Sequence, residues 1–450
     1  MLISVLRDNH NFAALKYHIM QKLILFVIYF LMIEGAWGQS WVPTNILSNT
    51  RIDDLTFLDD SIGYCGQTNI IYKTKDQGKN WEIVGFNQDL QYIRSIDFLD
   101  TLTGFVGTLS FGTLVKPGLF MTKDGGNSFQ KSLNIGNNEG ICGISHINNT
   151  VIAVGTFAGP AKLYKSVDRG ETFNTINLSQ YLSGAVDCHI VDENIIFIAG
   201  NSTSSTGRKP VIIKSIDGGS TWSESLFFNS IGAGYIWKMH FGQNNTIHAS
   251  VEIVNAIANK ADNVMFVSKD LGTTWDKHTI DNTNIINYGG IAILPSGKGW
   301  LGDQHDNIFY ETKDGGQTWT KSDNFVPSCN RIHTFSNGAA VATGSTIFYY
   351  GGTTTATIET PTFKNLQFEI NCAPNPVGEQ LNITLRAESP TFGVVEIYDL
   401  NGKLILVDHE KGFDQGDNTL QVNVSNYQKG TYIVVWKTSH KMVSKKFTKL

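Results

Sequence analysis

The chain has 450 residues, enough for two or three domains around sizeable cores. Charged residues make up only 17%, the formal net charge is -5 and no long run of one sign occurs, so the chain carries no electrostatic footprint for nucleic acid. Forty-four glycines and 11% aromatic residues suit an all-β protein with many tight turns.

The N-terminus reads as an export signal. Lys22 precedes an apolar run from Leu23 to Ile33, and the small-residue stretch ending at Gly38 offers a cleavage site. The run is too short to span a bilayer comfortably. Residues 1–38 are therefore assigned to a signal peptide, with Met20 as the expected true start. Ser40 to Thr44 then resembles a short strand without its own hairpin.

From there a repeat organises the chain. One pattern recurs six times: Ser or Thr, any residue, Asp, any residue, Gly, two further residues, then Trp or Phe. The aspartates are Asp76, Asp124, Asp168, Asp217, Asp270 and Asp314, and the closing aromatics are Trp81, Phe129, Phe173, Trp222, Trp275 and Trp319. The aspartates lie 48, 44, 49, 53 and 44 residues apart, the length of one four-stranded unit. Asp can accept hydrogen bonds from its own turn, Gly allows a backbone conformation that side chains disfavour, and the aromatic buries a large apolar surface. A structural role is thus expected for all twelve residues. After the sixth copy, Arg331 to Phe335, Ala339 to Gly344 and Thr346 to Tyr350 read as three more strands with no fourth. The expectation is that the strand at Trp41 supplies it, which would protect sheet edges otherwise exposed.

The motif is the Asp box, and the repeat resembles the Asp-box or BNR-type β-propeller family over roughly Trp41 to Tyr350. That family includes sialidases, sortilin-like receptors, xyloglucanase-type glycosidases and photosystem II assembly-factor propellers. The resemblance implies a seven-bladed propeller over residues 39–350.

A Thr-rich stretch, 351–370, reads as a linker. Beyond it lies a compact β-pattern: Pro374-Asn375-Pro376, the hairpin Ile397-Tyr398-Asp399-Leu400-Asn401-Gly402-Lys403, and the strand Gly430-Thr431-Tyr432. The last ten residues carry four lysines, read as a solvated final strand. These motifs in this order resemble a type IX secretion sorting domain, type A, of Bacteroidetes, covering 371–450. The resemblance implies passage through the periplasm, engagement of the type IX machinery, and secretion or outer-surface attachment. The expected fold is all-β: a seven-bladed propeller with Asp-box turns, then a small C-terminal β-sandwich.

Five cysteines (Cys65, Cys142, Cys188, Cys329 and Cys372) show no paired metal spacing and read as small core residues. A sialidase would need an arginine cluster for the substrate carboxylate. The propeller region holds only Arg51, Arg94, Arg169, Arg208 and Arg331, and Arg51-Ile52-Asp53 departs from the family's start motif. A glycosidase needs two carboxylates at a suitable separation. Asp53, Asp54, Asp97, Asp187 and Glu252 could supply them, but no spacing singles out a pair.

Aligning the repeats puts Asp97, Ser145, His189, His240 and His333 at one position of the innermost strands, with Arg94, Trp237, Lys238 and Arg331 just ahead. They form either hydrogen bonds between blades or a ligand site at the channel mouth. The insertions Leu109–Lys116, Asn201–Lys209 and Val251–Asn263 are expected on the same face as that mouth. The reading leans to a monomeric, non-catalytic module binding an extracellular glycan or protein, without metal or cofactor. A glycoside hydrolase of the Asp-box class is the alternative.

Overall fold

The computed structural model describes residues 40–46, 51–87, 89–90, 92–109, 117–132, 134–136, 139–155, 159–204, 207–230, 234–253, 263–280, 287–305, 307–351, 369–387, 391–399, 404–414, 416–438 and 442–450. The signal-peptide segment, the centres of the three insertions, most of the 351–370 stretch and the Asn401–Lys403 turn lie outside them. The described residues are all strand and turn, with no helix.

Between residues 41 and 350 the strands form seven four-stranded antiparallel sheets. Sheets one to seven begin with the strands Leu55–Phe57, Ile93–Phe98, Ile141–Ile147, Gly184–Ile190, Gly234–Phe241, Tyr288–Ile293 and Arg331–Thr334. Six sheets are consecutive meanders. The seventh takes its outer strand from the other end of the chain: Trp41–Pro43 pairs with Ile347–Tyr350, Trp41 opposite Tyr350. The first strands of sheets two, four and six are buried along nearly their whole length, because each packs between two neighbours. Fourth strands are mostly exposed.

The apolar core is divided among the sheet interfaces. Tyr64 and Ile71 of sheet one meet Ile96, Phe98 and Phe120 of sheet two. Leu55, Cys65 and Trp81 of sheet one also meet Phe335, Val341 and Ile347 of sheet seven. Trp41 packs with Trp300 and Phe309 of sheet six.

The repeated turn explains itself atom by atom. Thr74 donates its hydroxyl to Asp76 Oδ1 at 2.8 Å and accepts the Gly78 N–H at 2.9 Å. Asp76 Oδ1 also accepts the Asn80 N–H at 2.9 Å, and Trp81 donates its indole N–H to the Gly78 carbonyl. The sixth copy repeats the set with Thr312, Asp314, Gly316, Thr318 and Trp319. Serine or threonine hydrogen bonds hold Asp168, Asp217, Asp270 and Asp314 down at about 2, so these carboxylates are consumed by their own turns. Glycine is needed for two reasons. Gly78 has φ +84°, and a Cβ there would lie 2.6 Å from Val341 Cγ2 of sheet seven. The residue before it is also left-handed: Gln77, Arg169 and Leu271 accept that conformation, where the other three copies use a second glycine. Each turn thus plugs against the preceding sheet.

All five cysteines are buried as free thiols, Cys65 and Cys188 with their thiols pushed well up by burial. At the C-terminus, Glu369–Ala373, Gln380–Ala387 and Gly416–Asn423 form one sheet, and Leu404–Phe413, Thr391–Asp399, Gly430–Thr438 and Met442–Lys449 another. Between them lies a core of Leu381, Ile383, Val395, Ile397, Val434 and fully buried Trp436.

Candidate functional site

The first strands converge on a polar axis, and the structure brings the sequence-derived candidates together there in two groups. Asp97, Ser145, His189, His240 and His333 line one cavity of about 400 Å³, together with Asp54, Thr56, His146 and Arg331. Arg94, Trp237 and Lys238 lie further toward the start of the strands, where Arg94 stacks over the Trp237 ring at 4.6 Å and Lys238 sits 3.6 Å from Asp187.

The two groups face opposite ends. A box turn hydrogen-bonds to the turn after its own first strand: Gln77 N–H to Ser61 O, Leu271 N–H to Asn245 O, Gly315 N–H to Gly297 O. The histidine cavity, near those turns, therefore opens on the box-turn face. The described ends of the insertions, between second and third strands, lie beside the start of a first strand: Leu109 N–H donates to Tyr92 O, and Arg208 to the Tyr235 hydroxyl. The expected shared face of insertions and histidine cavity is thus corrected: antiparallel pairing puts the ends from which the insertions leave the sheets with Arg94 and Lys238 instead.

Most charged groups at the axis tie sheets to one another. Arg331 of sheet seven donates to Asp54 at 2.7 Å and to Asp187 of sheet four at 2.9 Å. Asp54 accepts the Ile96 N–H of sheet two, and Asp187 the Met239 N–H of sheet five. Asp97 accepts from Thr56 of sheet one and lies 2.7 Å from His146 Nδ1 of sheet three. Asp53 pairs with Arg51 at 2.5 Å, and Arg51 reaches Gln304 and Asn330 of sheets six and seven. Burial alone would raise Asp53 and Asp187, but the neighbouring cations outweigh it and hold both below the ordinary carboxylate value. Lys238 is pushed down to about 8 by burial and by Arg331. Glu252, 8% exposed at the insertion end, is the opposite case: burial raises it to about 7 against the pull of Arg94 and Arg51. His146 and Thr56 were not singled out in the sequence, and Arg51 was noted only as a departure from a sialidase start motif; His146 carries the plainest signal, one position after Ser145.

Three of the four histidines in the axial cavity are held neutral, whereas for His146 the pull of burial is outweighed by the Asp97 hydrogen bond, which raises it above the ordinary value. Burial pushes His189, His240 and His333 down to about 4. His189 stacks on Phe241 at 3.8 Å, His333 stacks on Phe57 at 4.7 Å, and His240 Nε2 hydrogen-bonds the Ile293 carbonyl. Their unfolded value is about 6.5. The unfolded chain therefore takes up protons first, so the stability these groups support is complete above about pH 6.5 and is lost as pH falls toward 4. Each should contribute on the order of 2 kcal/mol to that loss. Thermal unfolding midpoints measured across this window should fall before most carboxylates titrate, and His333→Gln should flatten the fall. An unchanged profile would show that the imidazoles are solvated. Among the described residues no group of three His, Cys, Asp or Glu side chains is arranged to hold a metal ion.

No curated protein matches the chain. Solved structures resemble it in fold. The WD40 β-propeller domain of Doa1 matches with TM-score 0.50 and 12% identity over 70% of this chain and 97% of that one. The xyloglucanase of glycoside hydrolase family 74 from Xanthomonas campestris matches at TM-score 0.51 and 11% identity, over 78% of this chain but only 60% of the enzyme. A streptogramin B lyase matches at TM-score 0.50 and 12% identity, over 70% and 96%. At such identities the likeness is one of fold, a propeller. Residues 371–449 match the family of secretion system C-terminal sorting domains. With that type IX address at its C-terminus, the protein is exported to be secreted or attached at the outer surface.

Proposed function

We propose that residues 39–350 form a closed seven-bladed Asp-box propeller, joined by a 351–370 linker to a sorting domain over 371–450, and that the propeller is a non-catalytic module binding an extracellular glycan or protein. Support for the ring comes from the seven sheets, from the strand Trp41–Pro43 completing the seventh, and from the packing of the first strand of sheet seven against that of sheet one. The observation that carries the binding reading is the state of the axial carboxylates. Asp53, Asp54, Asp97 and Asp187 are each engaged by a cation, a hydroxyl or a backbone N–H. Glycoside hydrolysis asks one carboxyl to hold a transferable proton and a second to attack or to activate water, and carboxylates tied up in this way do neither.

Glu252 favours the second reading, a glycoside hydrolase, because a carboxyl raised to about 7 by burial has the character of a general acid. One experiment separates the two. Glycan and protein arrays probed with the purified protein, combined with an assay for sugar released from each bound glycan, should show binding without release. Turnover that disappears in Glu252→Gln would reverse the assignment.

A further inference from the structure

We propose that the ligand is an uncharged oligosaccharide that lies in a groove on the box-turn face and places its end in the histidine cavity. This rests on the binding reading above and adds to it the site and the chemistry of what is bound.

Two cavities open on that face and share His240, Phe241 and Thr334. The inner one, about 400 Å³, is the axial cavity. The outer one, about 750 Å³, runs across the turns of sheets five and six toward sheet seven, with Gln243, Asn244, Thr246, Gln317 and Ser336 in its lining. Each falls in the range of roughly 300–1,000 Å³ common for ligand sites. Their continuity suits an extended chain with one end at the axis.

The lining chooses the chemistry. In the inner cavity Arg331 is bonded to Asp54 and Asp187, and Asp97 to Thr56 and His146. In the outer cavity Asp314 is spent on Thr312, Thr318 and the Gln317 N–H. Among the described lining residues Lys269 and Asp314 have no ion-pair partner, and of these Asp314 is already held by its own turn. An anion would find Lys269 unpaired, but any other charge pairing in the lining would break existing bonds, which is costly at buried positions. Neutral donors and acceptors are plentiful instead: side-chain amides, hydroxyls and imidazoles. His240 and His248 both direct Nε2 at backbone carbonyls, of Ile293 and Gly315. His248, 4% exposed, is left with a buried Nδ1 that has no hydrogen-bond partner. Phe241 and Pro295 add apolar surface for the C–H face of a sugar ring. Groups that hydrogen-bond hydroxyls, set beside apolar surface and with Lys269 alone left to meet a charge, match a neutral polyhydroxylated chain.

The test is isothermal titration of the purified protein with short β-glucan, xylan, mannan and α-glucan oligosaccharides, and with an acidic oligogalacturonate. At least one neutral oligomer should bind, and no tighter binding should be seen for the acidic one. Gln317→Trp, at an exposed groove position, should weaken binding about tenfold or more. Arg208→Ala, at the insertion end, should leave it unchanged. No binding to any neutral oligomer, preference for the acidic one, or sensitivity to Arg208→Ala alone would each overturn the groove assignment. None of these three results concerns turnover. Sugar release by the wild-type protein would instead overturn the non-catalytic reading.

Discussion

Trp41→Ala should destabilise the propeller by about 3–5 kcal/mol, the usual cost of emptying a buried tryptophan site. Trp41 is only 5% exposed, although its strand is three residues long. Its ring lies 5.2 Å from Trp300, 5.3 Å from Tyr350 and 6.0 Å from Phe309, so one side chain fastens the outer strand of sheet seven to sheet six. Emptying the site loses those contacts and frees the strand, which exposes the edge Ile347–Tyr350 to pairing with other chains. Urea unfolding followed by tryptophan fluorescence, with light scattering for aggregation, measures both effects. Val42→Ala, at a position 45% exposed, serves as the control and should shift the midpoint little. A cost below about 1 kcal/mol for Trp41→Ala would mean that the N-terminal strand is a passenger.

Arg331→Met should be comparably severe, again about 3–5 kcal/mol, for an electrostatic reason. The guanidinium bridges Asp54 and Asp187, whose side chains are only 4% and 3% exposed. Removing it leaves two buried carboxylates without their main partner, and the nearby Lys238 is itself pushed down to about 8. Arg331→Lys should not rescue, because an ammonium cannot supply the two-pronged geometry. The triple variant Asp54→Asn, Asp187→Asn, Arg331→Met should recover much of the loss, since it removes the stranded charge. The penalty of the single variant should also shrink as pH falls and Asp187 protonates, which is the sign expected for an unpaired buried acid. A single variant as stable as the wild type, or a penalty that does not depend on pH, would contradict the bridging role.

Much of the architecture was legible because it is local. The box turn is closed by hydrogen bonds within about five residues, so its residue types and spacing reveal it directly. The missing fourth strand of the last repeat was visible as an absence, and the strand at Trp41 as a spare. Cys65 and its four counterparts read as core residues because they lack metal-site spacing and a free thiol in tight β-repeats behaves as a small apolar side chain. One feature of the turn was not legible: two successive left-handed residues are required, but Gln77, Arg169 and Leu271 disguise the first of them.

By itself the sequence determined an all-β chain of repeated hairpins and a C-terminal export address, because hairpin turns and strand alternation are written within a few residues of one another. The tertiary structure decided what the axial side chains do. Arg331 and Asp187 are 144 residues apart, and Asp97 meets His146 across 49. Alignment of repeats can place such residues at one level, but which of them pair depends on how closely the sheets approach around the axis. It also decided which face holds the cavities: the insertions advertise one end, while antiparallel return of the strands puts the open histidine-lined space at the other.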